Sequence, residues 1–290
     1  LWLALGVMVA NALINYALIF GYWGMPELGL QGAAIASVIA MSLSLLGFVI
    51  YIQIYFPEQE MFARFWRFDR TATVSLLGLA LPISATALAE SGLFAASAFM
   101  MGWLGHLELA AHGIVLQLAA LTFMVHLGLS QAGTIRVGKA FSRRDWTTVR
   151  RTAAVTMGLS AMVALIAIFF FLVTPHMLIS AFLDMDNILT HEILRIGTLL
   201  LIVAAMFQFV DAAQVVALSL LRGLQDTKVP MLIATVSYWL IGLPVSYVLG
   251  FVLNYREIGI WLGLVFGLGI AALLLWARFS VLTRQGFGEN

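Results

Sequence analysis

The chain has 290 residues, 62% hydrophobic and 10% charged, with a net charge of +1 and a mean hydropathy of +1.02. An average soluble domain carries about 25% charged residues, so this composition describes an integral membrane protein, and the near-neutral balance argues against a nucleic-acid or acidic partner. The absence of cysteine excludes disulfides, thiolate metal sites and cysteine nucleophiles.

Residue 1 is leucine, and no basic stretch precedes an apolar one. No signal peptide is expected, and the sequence reads as a fragment that begins inside a larger protein. About 20 apolar residues cross the hydrocarbon as a helix. That length predicts eight spans, at roughly 1–21, 30–54, 74–101, 112–135, 152–174, 195–221, 230–253 and 259–281. The runs are continuous, not alternating, which favours helices that satisfy their own backbone hydrogen bonds over a barrel. The fold class is therefore all-α, a polytopic bundle of transmembrane helices.

Lysine and arginine set the orientation. One set of loops and ends carries Arg64, Arg67, Arg70, Arg136, Lys139, Arg143, Arg144, Arg150, Arg151, Arg222, Lys228, Arg278 and Arg284; the other carries only Arg195 and Arg256. The bias alternates across all eight spans and predicts that both ends are cytoplasmic. The outer loops, with Pro26-Glu27, His106-Leu107-Glu108 and Asp184-Met185-Asp186, are acidic or neutral. The segment Phe62 to Thr73 interleaves arginine with aromatic residues. Between two spans, that pattern suits a linker in the headgroup plane better than a nucleic-acid site. The basic loop Arg136 to Arg151 is a topology anchor by the same comparison.

Residues 1–54 resemble residues 230–282 at an offset of 230 to 231. Asn15-Tyr16-Ala17-Leu18 is echoed by Ser246-Tyr247-Val248-Leu249, and Glu27-Leu28-Gly29 by Glu257-Ile258-Gly259. The repeating unit is then six helices, about 72–282, and the first two spans are the tail of a preceding copy. Four more helices are expected upstream. Parallel repeats of this kind recur in transporters, with the substrate site between the halves.

Two acids lie deep in apolar runs. Asp211 sits within the sixth span, which ends in the polar hinge Arg222 to Pro230. A charge at the bilayer centre costs at least about 2.5–3.5 kcal/mol and marks a functional candidate by default. Phe207, Gln208 and Gln214 lie one turn away, at i−4, i−3 and i+3, and share its face. Glu90 lies mid-way along the third span, with Thr86 one turn back and Pro82 removing a backbone donor nearby. Carboxyls held in oil with almost no basic neighbour can trade a proton or hold a monovalent cation. The alternative is a structural carboxyl bonded to a neighbouring helix. His126, in the fourth span, has two readings, a proton relay or a ring satisfied by a backbone carbonyl. His106, His112, His176 and His191 are expected near the outer ends in contact with water, without metal-ligand spacing.

At these residues the chain resembles the multidrug and toxic compound extrusion (MATE) transporters, most closely their bacterial NorM-like branch. The resemblance is carried by Leu79-Ala80-Leu81-Pro82-Ile83 with Glu90, by Gly105 to Ile114, by Thr134 to Gly138, by Asp211-Ala212-Ala213-Gln214, by Leu221 to Met231 and by Leu28 to Ala36. It implies a twelve-helix antiporter of two six-helix lobes, of which this chain is helices five to twelve. Residues 1–56 would close the first lobe, 57–73 form a cytoplasmic interfacial linker, and 74–290 form the second lobe. It further implies a non-enzymatic protein of the bacterial inner membrane, with no cofactor beyond a coupling sodium ion or proton. Such proteins export amphipathic, often cationic drugs. Glu90 and Asp211 match the second lobe's cation-binding acids, and would be the sodium ligands in a sodium-coupled member. Thr86, Phe207, Gln208, Gln214 and His126 become candidates to line the cavity. Phe207 stands where some sodium-coupled members carry tyrosine, and His126 where proline is common.

Two rivals follow from the same residues. A flippase for lipid-linked sugars needs a basic cavity for phosphates, and no Arg or Lys is expected deep in a span. An intramembrane aspartyl protease needs two carboxyls close enough to share a proton.

Overall fold

The computed structural model describes residues 2–59, 69–183 and 189–288. Helices account for its regular structure, and eight of them, among the described residues, are long and apolar enough to cross a membrane. The aromatic-basic stretch with Arg64 and Arg67, and the outer residues Asp184 to Asp186, lie outside the described residues. The chain divides into two units, Leu1–Arg70 and Thr71–Asn290.

The first unit is a helical hairpin of α1 (Trp2–Phe20) and α2 (Gly29–Tyr55). Gly32, Ala36 and Ala40 of α2 are buried at four-residue spacing, the small stripe that lets two membrane helices approach closely. The Leu28 N–H closes the outer turn by donating to the Leu18 carbonyl at 3.0 Å.

The second unit comprises α3 (Arg70–Leu104), α4 (His106–Ser142), α5 (Trp146–Val173), the short α6 (Pro175–Ser180) and α7 (Thr190–Gly223). A seventh span, Lys228–Val252, and α10 (Arg256–Gly288) complete it. The seventh span is α8 (Lys228–Thr235), a π-helical stretch (Val236–Gly242), α9 (Leu243–Tyr247) and a second π stretch (Val248–Val252). Most of the helices overrun the predicted spans, though α1 does not. Hydropathy marks only residues in oil, whereas a helix continues through the headgroup zone while its own hydrogen bonds hold. So α4 starts at His106 instead of 112.

α7 is the centre of this unit. It packs against α4, α5 and α10 and is buried on nearly every side from Val203 to Leu221. Polar ties fix it there: the Thr134 hydroxyl donates to the Ser219 carbonyl at 2.8 Å, and the Trp276 indole to the Ala213 carbonyl at 3.0 Å. Asp145 starts α5 by accepting from the Thr148 N–H at 2.9 Å and the Thr148 hydroxyl at 2.5 Å. At one end of α10, Arg256 pairs with Glu108 and Glu257. Towards the other, Arg278 pairs with Asp226 of the hinge at 2.8 Å.

The two outer hairpins share a kind of closure without matching position by position. In the second unit the Tyr255 N–H donates to the Leu249 carbonyl at 3.0 Å; Leu249 repeats Leu18, but Tyr255 stands three residues before the position that repeats Leu28. Gly32 presses against the backbone of Leu18, and Gly263 against the backbone of Ser246. A Cβ at either would meet main-chain atoms, so glycine is required by close approach.

Candidate functional site

Glu90 projects from the middle of α3 and is half-buried; its Oε1 is buried with no hydrogen-bond partner. Asp211, midway along α7, is 1% exposed, and its Oδ1 also lacks a partner. The two carboxyls act on one another electrostatically across the helix boundary, but no hydrogen bond joins them among the described residues.

The amide stripe of α7 lies beside them. Gln208 is fully buried with neither amide atom partnered. Gln214 donates its Nε2 hydrogen to the Tyr238 hydroxyl at 2.5 Å and leaves Oε1 free. An unsatisfied buried polar group costs about 1–3 kcal/mol, so this concentration on one face calls for an explanation. The donor set is two carboxyls with amide and hydroxyl oxygens, which suits a small hard cation. Among the described residues no three His, Asp or Glu side chains converge as a metal cluster.

The other predicted residues fall around this centre in different ways. Thr86 is buried, and its hydroxyl turns back to the Pro82 carbonyl at 2.8 Å. Phe207 is buried edge-on against Phe94 (6.0 Å between centroids) and Trp261 (5.5 Å). His126 is fully buried, but its Nδ1 meets the Ser160 hydroxyl of α5 at 2.7 Å. The partner is thus a hydroxyl and not the expected backbone carbonyl, and no bond links the ring to either acid.

Two expectations are corrected. His112 is 1% exposed and accepts the Trp261 indole hydrogen at 3.1 Å; the longer α4 carries it inward, while His106, His176 and His191 are exposed. Arg222 is more than a hinge charge. Half-buried at the end of α7, it acts electrostatically on Glu90 and Tyr238, so Glu90 has a basic group in its field.

Sequence reasoning missed Tyr238 and Trp239. Tyr238 is fully buried and bonded to Gln214 of α7, within electrostatic reach of both acids. The Trp239 indole donates to the Ala89 carbonyl at 3.1 Å, beside Glu90. The available signal was Ser237-Tyr238-Trp239, a polar and aromatic triplet in an apolar span.

A family model described as MatE matches residues 82–248, more than half the chain and inclusive of both acids and Tyr238. The chain belongs to the MatE family. Its relatives include a probable multidrug resistance protein NorM of Agrobacterium fabrum, 41% identical over 287 residues. Another is the probable NorM of Rhizobium meliloti, 42% identical over 291 residues. Each alignment covers 98% of this chain and 62% of the relative. This MatE chain therefore spans about three fifths of the length of the curated relatives it matches. Among solved structures it resembles a multidrug resistance MATE family transporter of the MOP superfamily in an outward-facing conformation, with TM-score 0.82 and 16% identity over 98% of this chain and 63% of that one. A MOP superfamily transporter from Pyrococcus furiosus gives TM-score 0.81 and 18% identity over 97% and 62%. At those identities the likeness concerns the fold, and the fold is that of MATE proteins.

Proposed function

We propose that this chain is the ion-coupling part of a secondary antiporter that exports amphipathic, often cationic drugs from a bacterial cell in exchange for sodium ions or protons. The observation that carries the reading is the pair Glu90 and Asp211: two mid-span carboxyls on neighbouring helices, in each other's field, each with an unpartnered buried oxygen. Loading a cation there cancels their mutual repulsion. If the outward-open and inward-open forms bind the cation with different affinity, loading shifts the equilibrium between them. The names of the NorM relatives support drugs as the cargo. The internal repeat and the greater length of those relatives support four further helices upstream, completing a two-lobed protein in the inner membrane.

The rivals fare less well. A protease dyad is disfavoured by the missing bond between the acids. A sugar-lipid flippase gains one basic residue in Arg222, but a guanidinium in the field of Glu90 makes no cationic surface for a diphosphate. The test is dye efflux by the intact gene product in proteoliposomes under separate sodium and proton gradients. Glu90→Gln and Asp211→Asn each abolish ion-driven efflux with normal insertion. Efflux at the unaltered rate by the doubly substituted protein overturns the reading.

A further inference from the structure

At the end of the second unit that the charge bias assigns to the exterior, α6 is pressed onto α7. Ile179 is fully buried there against Gly197, where a Cβ would come within 2.9 Å of the isoleucine side chain. Beside that contact lies a cavity of about 400 Å³, lined by His176 of α6 and by His191, Leu194, Arg195, Thr198 and Leu199 of α7. It is remote from the acids. A helix turns about 100° per residue, so Ile202, nine positions before Asp211, points the opposite way. Ile202, Met206 and Phe209 are about half exposed on that opposite face, and His191, Arg195 and Thr198 precede them on it at helical spacing.

The lining passes from charged to apolar within two turns. Arg195 and Glu192 form an exposed pair, 60% and 44% accessible. The pair uses the Nε hydrogen of the guanidinium and one at Nη2, and the remaining N–H groups of the fork stay available. His176 and His191 are exposed at the rim, and each imidazole offers an N–H in either tautomer. Leu194, Leu199 and Thr198 are partly buried. Thr86, Thr122, Thr134, Thr174 and Thr283 return their hydroxyls to carbonyls of their own helices. The Thr198 hydroxyl does not: it is buried with no partner, a free donor at the floor of the cavity. That floor is about 5 Å deeper along α7 than Arg195. A bilayer passes from headgroup to hydrocarbon over a similar depth, since its polar zones add only about 10–15 Å in total to the core.

We propose that this cavity binds an outer-leaflet phospholipid whose headgroup joins a phosphate to a primary amine. The phosphate takes the free donors of Arg195 and the two imidazoles, and the ammonium takes the Glu192 carboxylate. The ester region meets Thr198, and an acyl chain runs over Leu199, Ile202 and Met206. An anionic headgroup without an amine would meet Glu192 with nothing to offset it, and a trimethylated amine has no N–H to donate. This site is independent of the antiport reading.

The test is lipid binding by the intact gene product, purified in detergent, stripped of lipid and followed by native mass spectrometry. The probes are dioleoyl phosphatidylethanolamine, phosphatidylglycerol and phosphatidylcholine. The unaltered protein prefers the ethanolamine lipid. Arg195→Gln weakens that binding about tenfold, the scale of one hydrogen bond to a charged group, and Glu192→Gln abolishes the preference over phosphatidylglycerol. Comparing variants isolates this cavity from lipid held elsewhere on the surface. Thr198→Leu, which fills the floor, also weakens ethanolamine-lipid binding and serves if a charge variant fails to insert. Equal affinity of the unaltered protein for all three lipids overturns the proposal, and so does binding that neither Arg195→Gln nor Thr198→Leu alters, as when further helices of the complete protein cover this face. Glycerophosphoethanolamine, the headgroup without chains, competes only weakly. Competition by it at the lipid's own concentration would mean a site for a soluble phosphoester and overturn the assignment to lipid.

Discussion

Single side chains divide this protein's buried polar groups into two kinds. Some have a partner across a helix boundary on one ring nitrogen, such as His126 with Ser160 and His112 with Trp261, while the Nε2 of each ring is buried without one. Others stand with free oxygens around Glu90 and Asp211. The distinction predicts different mutational outcomes. Ser160→Ala leaves a ring nitrogen of His126 without its partner inside the bundle, at a cost of about 1–3 kcal/mol. Both Ser160→Ala and His126→Asn therefore lower the melting temperature in detergent and leave sodium- or proton-driven efflux intact. Loss of proton-driven efflux in His126→Asn, with stability unchanged, would restore the relay reading. The acids were legible in the sequence because a charge in an apolar run has no bland explanation at its price in free energy. The partners were not. Nothing in a one-dimensional pattern tells His126 that a serine 34 positions later lies within 2.7 Å, or that Tyr238 faces α7 instead of lipid.

Whole helices were easier to read than their ends. Eight apolar runs correspond, among the described residues, to eight helices long and apolar enough to span, since a bilayer leaves a continuous apolar run little other choice. Their overruns, the π-helical stretches of the seventh span and the inward position of His112 were not legible. Each depends on how a helix packs, and hydropathy does not report that. Helix starts are a partial exception. Asp145, three residues before Thr148, is a recognisable N-cap, and bonds from the Thr148 hydroxyl and N–H hold its carboxyl below the usual carboxylate range. A group whose acidity is raised by folding contributes stability above its unfolded value, and that contribution disappears as the pH falls through the folded value. Asparagine caps equally well but does not titrate. The melting temperature of the unaltered protein should therefore exceed that of Asp145→Asn at neutral pH, and the gap should close as the medium is acidified below about pH 4. A gap that is constant with pH would mean that the charge contributes nothing to the start of α5.

Across the whole molecule, charge placement predicts one orientation. Only Arg195 and Arg256 lie on the side assigned to the exterior, and both are paired. Arg195 meets Glu192 at 2.6 Å, and Arg256 meets Glu108 and Glu257. Neither therefore stands as an unpaired positive charge against the bias that keeps basic loops in the cytoplasm. The chain contains no cysteine, so each introduced thiol is the sole target of a maleimide within it. Ser142 is exposed at the end of α4, His106 is exposed at its start, and Tyr255 is exposed before α10. In intact cells producing the complete gene product, a membrane-impermeant maleimide should label His106→Cys and Tyr255→Cys. Ser142→Cys should react only after the membrane is opened. The inverse pattern would place the hinge Gly223–Lys228 and the ends of this chain outside. Sodium ions or protons entering down their gradients would then load Glu90 and Asp211 from the Arg278–Asp226 end of the unit, reversing the direction of export. Labelling thus tests the orientation on which the direction of exchange depends, independently of any transport assay.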